Sequence, residues 1–547
     1  MEEFDSIIIG SGAGGLATAL CLSRAGQKVL VLEQHSVPGG WCHSFTLNGQ
    51  RFSPGVHYIG LLDEGQSTND LYKGLGVAND IVFFRMNTKG YDHCIINGKK
   101  FDFPAGIENL EKSLIQHFPK EEKNIIEYLN LVKKVSDELQ LIPKLKGFWQ
   151  NITVPFRTKH FGKFALFSLK RVVNWHVKDP MLKAVLNAQC GDHGLPPNRA
   201  SFPVHCSVMN HYFEGGFYPM GGGGGIVKAM TTKIKSYGGV VRTQQSVAKI
   251  LIENKKAFGV ELTSGEKIFA KNIISNADPS TTYLKLIGKE NISKKLTQKL
   301  EKTKYSVTSL ILFLTLDLDV TQYGIDSGNI WNFKDENVDD HFETLMSGDV
   351  TQGEEFPAFF MSCTTIKDPV SFNGRYHNFE VVTYVDYESF NEFDGDDYHC
   401  PKYEAFKNKI IEKFLNSVEK IIPNARKHII QAELGTPKTN QFYINSTRGN
   451  VYGTEKTLSQ VGPFSYKNKT EFENLFLCGA STLSHGVTGA TYSGLATAAT
   501  ILNCKSDDLL IDDPTQKINI FDAEDPSSWS DFIHKKREDK KRTFKQL

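Results

Sequence analysis

One stretch near the start, DSIIIGSGAGGLATAL over Asp5–Leu20, limits what this chain can fold into more than any other. Ile7, Ile8 and Ile9, ahead of the glycines, read as a short buried parallel strand. GGLATALCLSRAG reads as a helix that turns small residues toward a sheet and stops at Gly26. KVLVLE supplies a second strand that closes at Glu33. Between the first strand and the helix, Gly10, Gly12 and Gly15 form the pattern G-x-G-x-x-G. The first glycine permits the tight turn, the second lets backbone approach a pyrophosphate, and the third lets helix and strand pack closely. Phosphate charge then faces the helix N-terminus, where unpartnered N–H groups and the helix dipole favour an anion. The glycines alone are weak evidence. The strand before them, the helix after them and an acid roughly 20 residues on make the pattern a dinucleotide site.

Glu33 can accept hydrogen bonds from both ribose hydroxyls and would repel a 2′-phosphate, which disfavours NADP at this turn. Two further features separate FAD from NAD. Gly39 and Gly40 extend the phosphate loop, and LFLCGAS leads into HGVTGATYSG, a second helix start able to face the ribityl and ring end. The expected cofactor contacts are therefore Gly10, Ser11, Gly12, Ala13, Gly14, Gly15, Glu33, Gly39 and Gly40, and in the late motif Gly479, Ala480, Gly489, Ala490 and Thr491.

At 547 residues the chain exceeds one core, so more than one domain is expected. Three blocks share an α/β texture: 1–79, 215–290 and 436–504. They predict one discontinuous Rossmann-like nucleotide domain, interrupted by an α+β substrate part at 80–214 and 291–435. In the second block GIVKAMTTKIKSYGG reads as a helix, and KNIISNAD as a strand running to Asp278. GIENLEKSLIQHF and KNIIEYLNLVKKVSDELQLI, in the first insertion, have helical periodicity. Residues 505–547 read as a solvated polar tail. A formal charge of +1 gives no global reason to bind nucleic acid. Nine cysteines without a C-x-x-C pair argue against a disulfide framework and against a zinc or other metal site. No secretory signal precedes the first strand, and no apolar run approaches the roughly 18 residues of a spanning helix. The expectation is a cytoplasmic protein, at most peripheral on a membrane face.

One stretch supports that last possibility. Residues 144–178 hold eight lysines or arginines and no acid, interleaved with Phe148, Trp149, Phe156, Phe161, Phe164, Phe167 and Trp175. The composition suits a membrane surface. The alternative is a helical lid whose aromatics fill the substrate domain, and nothing else in the chain supports single-stranded nucleic acid.

Beyond the glycine turns the chain resembles the phytoene desaturase group of FAD-dependent, amine-oxidase-like flavoproteins, and within it the retinol saturase and carotenoid isomerase subfamily. The resemblance rests on GGWCHSF, GVHYIG, GDHGLPPNRASFPVH, MNHYFEGGFYPMGG, SNAD, TPKTNQFY and RGNVYG. It departs at Trp41, where many relatives carry an arginine near the cofactor phosphates, and at Met220, where a basic residue is expected. The resemblance implies FAD, Trp41 beside it, and the backbone at Val247 against the adenine. It implies hydrogen exchange at C=C bonds of a retinoid or carotenoid-like polyene, with NAD(P)H a possible electron donor. A desaturase, a cis–trans isomerase and, more remotely, a non-enzymatic prenyl-binding escort are the alternatives. The cofactor carries the hard redox step, while the protein orients the substrate, excludes water and supplies a proton. Tyr58 and His57 in GVHYIG rank first as proton donors, with Tyr443, His211 and Tyr212 behind them. Asp278 reads as a turn cap and Cys478 as core packing. Oligomeric state leaves no trace in the sequence.

Overall fold

The computed structural model describes residues 3–141, 157–395 and 399–546. The first large sheet is built around Glu3–Ile9, which pairs in parallel with Val29–Leu32 on one side and Lys267–Ser275 on the other. Val240–Arg242 extends one edge, Leu475–Leu477 joins Lys267–Ser275 in parallel, and the antiparallel pair Val247–Glu253 and Lys256–Leu262 completes seven strands. Strand alternation divides the isoleucines: Ile8 joins Val29, Val31 and Ile274 in one core, while Ile7 and Ile9 join Leu30 and Ile273 in another. Both faces are thus covered, as a parallel sheet requires, and each buried isoleucine contributes roughly 1.5–3 kcal/mol.

The opening helix, Ala13–Arg24, crosses the late helix, Gly486–Leu502, at backbone contact. A Cβ on Gly494 would lie 2.1 Å from the Gly14 carbonyl oxygen and 2.9 Å from Ala17 Cβ. The small residues of both motifs therefore bring two helix starts to one edge of the sheet. The predicted strand to Asp278 ends earlier, at Ser275. Asn276 still donates its N–H to the Ile9 carbonyl, at 2.9 Å, and its side chain turns under the glycine loops. Asp278 caps the next turn, accepting from Thr281 N at 2.9 Å.

The second large sheet runs in the order Ile429–Gly435, Thr308–Leu316, His377–Val385, Ala358–Cys363, Asn329–Phe333, Asp92–Ile96, Lys99–Phe103. All its pairs are antiparallel except Asn329–Phe333 with Asp92–Ile96. Helices that include Ile107–His117 and Glu122–Leu141, where helical periodicity predicted them, share one large core with this sheet.

A solvated tail is not what the last residues form. Asn519–Asp522 pairs in parallel with Val82–Arg85, which pairs in turn with Phe217–Pro219. Trp529 and Ile533 are buried with Phe84 in a core of their own, and Asp531–Gln546 is a helix. The polar composition belongs to the outer face of that helix, and a few apolar residues anchor it.

Candidate functional site

A continuous cleft lined by residues of both sheets lies between them. Its lining runs without a break from the glycine turns to the strands of the second sheet, so cofactor and substrate would share one space.

Backbone builds one end of the cleft. Gly10, Ser11, Gly12, Ala13 and Gly14 line it, as do Gly39, Gly40, Trp41 and, from the late motif, Gly479, Ala480 and Ala490. The opening helix is preceded by Gly12, and no side chain caps it. The helix Gly223–Ser236, which begins inside the glycine run 221–225, differs. Ser53 Oγ accepts from Gly223 N at 2.9 Å and Ser44 Oγ from Gly224 N at 3.0 Å, so its start is already satisfied by protein. Only the first of these two N-termini is left for an anion. Glu33 Oε2 accepts from Ser11 N and Ser11 Oγ, at 3.0 and 2.6 Å, and Oε1 accepts from His35 N at 2.9 Å. Ser11 Oγ accepts in turn from Gly39 N at 2.8 Å. Glu33 thus ties both phosphate loops together and keeps acceptor capacity for a ribose. Val247 lines the same end. The residues present fit FAD: a side-chain-free cradle for the pyrophosphate, an acid for the ribose, and a second loop beyond.

The other end is the second sheet, read as rows across its strands. Trp331, Phe360, Val382 and Ile311 are successive cross-strand partners, and all four line the cleft. Phe333 and Ala358 begin the next row and line it too. One row in the opposite direction the chemistry changes from apolar to polar. Asp92 is paired with Asn329, and Ser362 with Glu380. All four are buried.

The loop carrying GVHYIG is moored to that polar row. Glu380 accepts from Ser53 N, and its Oε2 lies 3.1 Å from His57 Nδ1. Lys367 Nζ donates to the His57 carbonyl at 2.8 Å and to Asn329 Oδ1. Burial lowers the Lys367 ammonium to about 7, against the pull of Asp92 and Glu380. Tyr58 stacks on Tyr212 with ring centroids 4.0 Å apart, and its hydroxyl lies between two acids, 2.7 Å from Asp192 Oδ2 and 3.1 Å from Asp92 Oδ2. Asp92 is the better supported of the two, since Asn329 Nδ2 and Gln189 Nε2 donate to it at 2.8 and 2.7 Å. Burial still raises it to about 6. Burial, then the neighbouring Asp92, hold Asp192 well above the carboxylate range.

Of the residues singled out in the sequence, His57 and Tyr58 stand on the cleft wall beside this acid cluster. Tyr443 also lines the cleft, but its ring meets His35, at 4.9 Å between centroids, next to the Glu33 turn. Its ring contacts thus place it at the nucleotide end of the cleft, whereas Tyr58 meets the two acids, which corrects its grouping with Tyr58. His211 is held neutral, lowered by burial to about 4, and accepts from Gly60 N at 2.9 Å. It is a strut for the loop, and Tyr212 is the face on which Tyr58 rests. Gly15, Gly489 and Thr491 are not on the cleft wall. A Cβ on Gly15 would lie 2.2 Å from the Gly10 carbonyl oxygen, a Cβ on Gly489 would meet Ser484 at 2.8 Å, and Thr491 Oγ1 donates to the Val487 carbonyl. All three shape the cradle from behind. Cys478 is buried against Asn276. Sequence reasoning missed Asp92, Asp192 and Lys367. The one available signal was Asp192 itself, the only acid between Asp179 and Glu214.

In the basic aromatic stretch, residues 144–156 lie outside the described residues. The remainder divides between the two expectations: Phe164 packs into the core, whereas Trp175 is half exposed. Lys170 is paired with Asp339 at 2.9 Å. Among the described residues no helix is long and apolar enough to cross a membrane.

A two-sheet fold with a glycine cradle for FAD opening onto an apolar chamber defines an FAD-dependent oxidoreductase. A family model described as flavin containing amine oxidoreductase matches residues 13–502, and the chain belongs to that family. It is 31% identical over 527 residues to an all-trans-retinol 13,14-reductase of Danio rerio, covering 92% of this chain and 86% of the relative. A prolycopene isomerase of an Oncidium hybrid cultivar is 25% identical, with 91% and 83% covered. Among solved structures, an oxidoreductase from Methanosarcina mazei shares the fold at a TM-score of 0.60 and 18% identity, covering 92% of this chain and 100% of that one.

Proposed function

We propose that the chain reduces a carbon–carbon double bond of a lipophilic conjugated polyene, a retinoid in the first instance, using FAD. One observation carries the reading: a single cleft joins the glycine cradle to the row Trp331, Phe360, Val382 and Ile311. A flat apolar chain of alternating double bonds matches that wall in shape and polarity. The likeness to an all-trans-retinol 13,14-reductase supports the same substrate class.

Gly10–Gly14, Gly39, Gly40 and Trp41 would hold the pyrophosphate, Glu33 the ribose, Val247 the adenine, and Gly479, Ala480 and Ala490 the ring end. Bound flavin supplies two-electron exchange with the alkene. The protein's part is to press the polyene against the aromatic row, exclude water and supply a proton from the Tyr58 neighbourhood. His57, fixed by Glu380 and Lys367, keeps the Tyr58 loop in place. Tyr443 would close the ribose end. NAD(P)H as the external electron donor belongs to the proposal, and with one dinucleotide turn it would meet the flavin without a Rossmann site of its own.

A second reading, cis–trans isomerisation or desaturation of a carotenoid at the same site, is favoured by the likeness to a prolycopene isomerase. We further propose peripheral contact with a membrane through residues 157–178, since a lipophilic polyene resides in bilayers.

The test is anaerobic incubation of chemically reduced enzyme with retinoid and carotenoid panels, followed by mass analysis. Reduction adds two hydrogens, desaturation removes two, and isomerisation leaves the mass unchanged. A panel returned wholly unaltered would sink the polyene assignment. A purified protein without flavin absorbance would favour a prenyl-binding escort.

A further inference from the structure

We propose that Asp192 is the acid that protonates the alkene, with Tyr58 as its hydrogen-bond partner and Asp92 as the fixed anion behind it. This rests on the reduction reading above and names the residue that reading leaves open.

Counting hydrogens locates the proton. The Tyr58 hydroxyl lies within hydrogen-bond distance of both Asp192 Oδ2 and Asp92 Oδ2, at 2.7 and 3.1 Å, yet a phenol has one hydrogen to give. Two bonds need a second hydrogen, which only a carboxylic acid can bring. Asp92 already accepts from Asn329 and Gln189 and has Lys367 nearby, so it is suited to remain the anion. Asp192 has no such support. Among the described residues its side chain hydrogen-bonds only to Tyr58, and no cation faces it. The groups around it are the phenols Tyr58, Tyr91, Tyr212, Tyr384 and Tyr452, the Cys190 thiol, the anion Asp92, and His485, whose Nε2 lies 3.2 Å from the Asp192 carbonyl oxygen and which burial lowers to about 3. The proton therefore belongs to Asp192. Asp92, buried in the polar row, is absent from the cleft wall, whereas Asp192 and Tyr58 are both on it.

The chemistry balances. Bound reduced flavin would supply the hydride, and with it both electrons, to one alkene carbon, leaving the π pair on the conjugated neighbour. That pair forms a C–H bond with the Asp192 proton, the Asp192 O–H bond breaks, and its electrons stay on the carboxylate. Tyr58, which at rest donates to Asp92, turns its hydrogen to the new Asp192 anion. Asp192 regains a proton from water once product leaves.

The test uses the flavin-loaded full chain with Asp192→Asn, Asp192→Glu and Tyr58→Phe. Infrared difference spectra in H2O and 2H2O should show a protonated carboxylic acid at pH 7 that is absent in Asp192→Asn and shifted in Tyr58→Phe. This readout needs no turnover. Asp192→Asn should lower the rate of alkene reduction about a hundred-fold or more, the lower end of what a positioned acid contributes, with flavin absorbance unchanged. Asp192→Glu should recover part of it. The wild-type rate should hold at low pH and fall as pH rises through the raised Asp192 value, a limb that Asp192→Asn lacks. A flavin-loaded Asp192→Asn within five-fold of wild type overturns the donor role alone. So does a wild type without the carboxylic acid band. Should Asp192→Asn fail to fold, an unshifted band in Tyr58→Phe is the overturning result. A wild type that shows the band yet alters no polyene overturns the reduction reading and the donor role with it.

Discussion

Asn276 shows how much one side chain can organise. A Cβ on Gly12 would lie 2.6 Å from its Nδ2, and Cβ atoms on Gly14 and Gly479 would lie 2.9 and 2.8 Å from its Oδ1. Three glycines from two loops far apart in the chain close on this one amide, and a Cβ on any of them would crowd it. Gly14 is the tightest, since its Cβ would also meet Gly479 N at 2.9 Å and the Ala490 carbonyl oxygen at 3.0 Å, backbone that cannot swing aside. Gly14→Ala should therefore push the first and late loops apart and weaken flavin retention at least ten-fold, about 1.4 kcal/mol, read as flavin absorbance per protein after gel filtration. Gly162→Ala, where nothing lies within 4 Å, is the control. Equal flavin content in the two would detach the cradle from its glycines. Gly10, Gly12 and Glu33 were legible in the sequence because their roles are local or follow at a fixed spacing. The Asp92–Tyr58–Asp192 group was not. Its members stand 34 and 134 residues from Tyr58, and nothing near any of them in sequence signals the others.

Strand register does at the level of elements what Asn276 does for the glycines. Pairing Asn329 with Asp92 sets a polar row beside an aromatic one, so a single alignment lines the cleft with apolar side chains and buries beside them the acid that Tyr58 meets. Hydrophobic periodicity located the helices Ile107–His117 and Glu122–Leu141, since a helix announces its own repeat. It could not give the order of the second sheet, which is fixed by contacts between distant strands. The C-terminal segment was misread for a related reason: it holds few apolar residues, and they matter through their partners. Ile533 is fully buried with Phe84 and Trp529, and Asn519–Asp522 covers one side of Val82–Arg85. Ile533→Ala should cost roughly 2–5 kcal/mol, seen as a lower denaturation midpoint, with flavin content preserved because the cradle is built elsewhere. An unchanged midpoint would return the segment to the status of an appendage.

On the scale of the whole molecule, the chain crosses repeatedly between a sheet that holds the nucleotide and one that walls the substrate chamber, and the chemistry sits where they meet. The proposed polyene would reach that chamber from a bilayer, and the turn between the helices Lys159–Phe164 and Leu169–His176 has the composition to rest on one. Leu166 is 78% exposed at its tip and Trp175 51% exposed beside it. The Arg171 guanidinium is held 4.8 and 4.9 Å from the ring centroids of Phe167 and Trp175. Apolar and basic groups thus share one face, and they should separate by salt. Flotation on anionic vesicles should drop at every ionic strength in Leu166→Ser/Trp175→Ser, because lost apolar burial is not screened. In Lys163→Gln/Arg171→Gln it should drop at low salt and converge on the parent near 0.5 M, where the Debye length falls to roughly 4 Å. Lys170 is left in place because its charge is engaged with Asp339. If both variants float like the parent in all salts, the hairpin is a lid, and Phe164, already buried in the core, marks its working face.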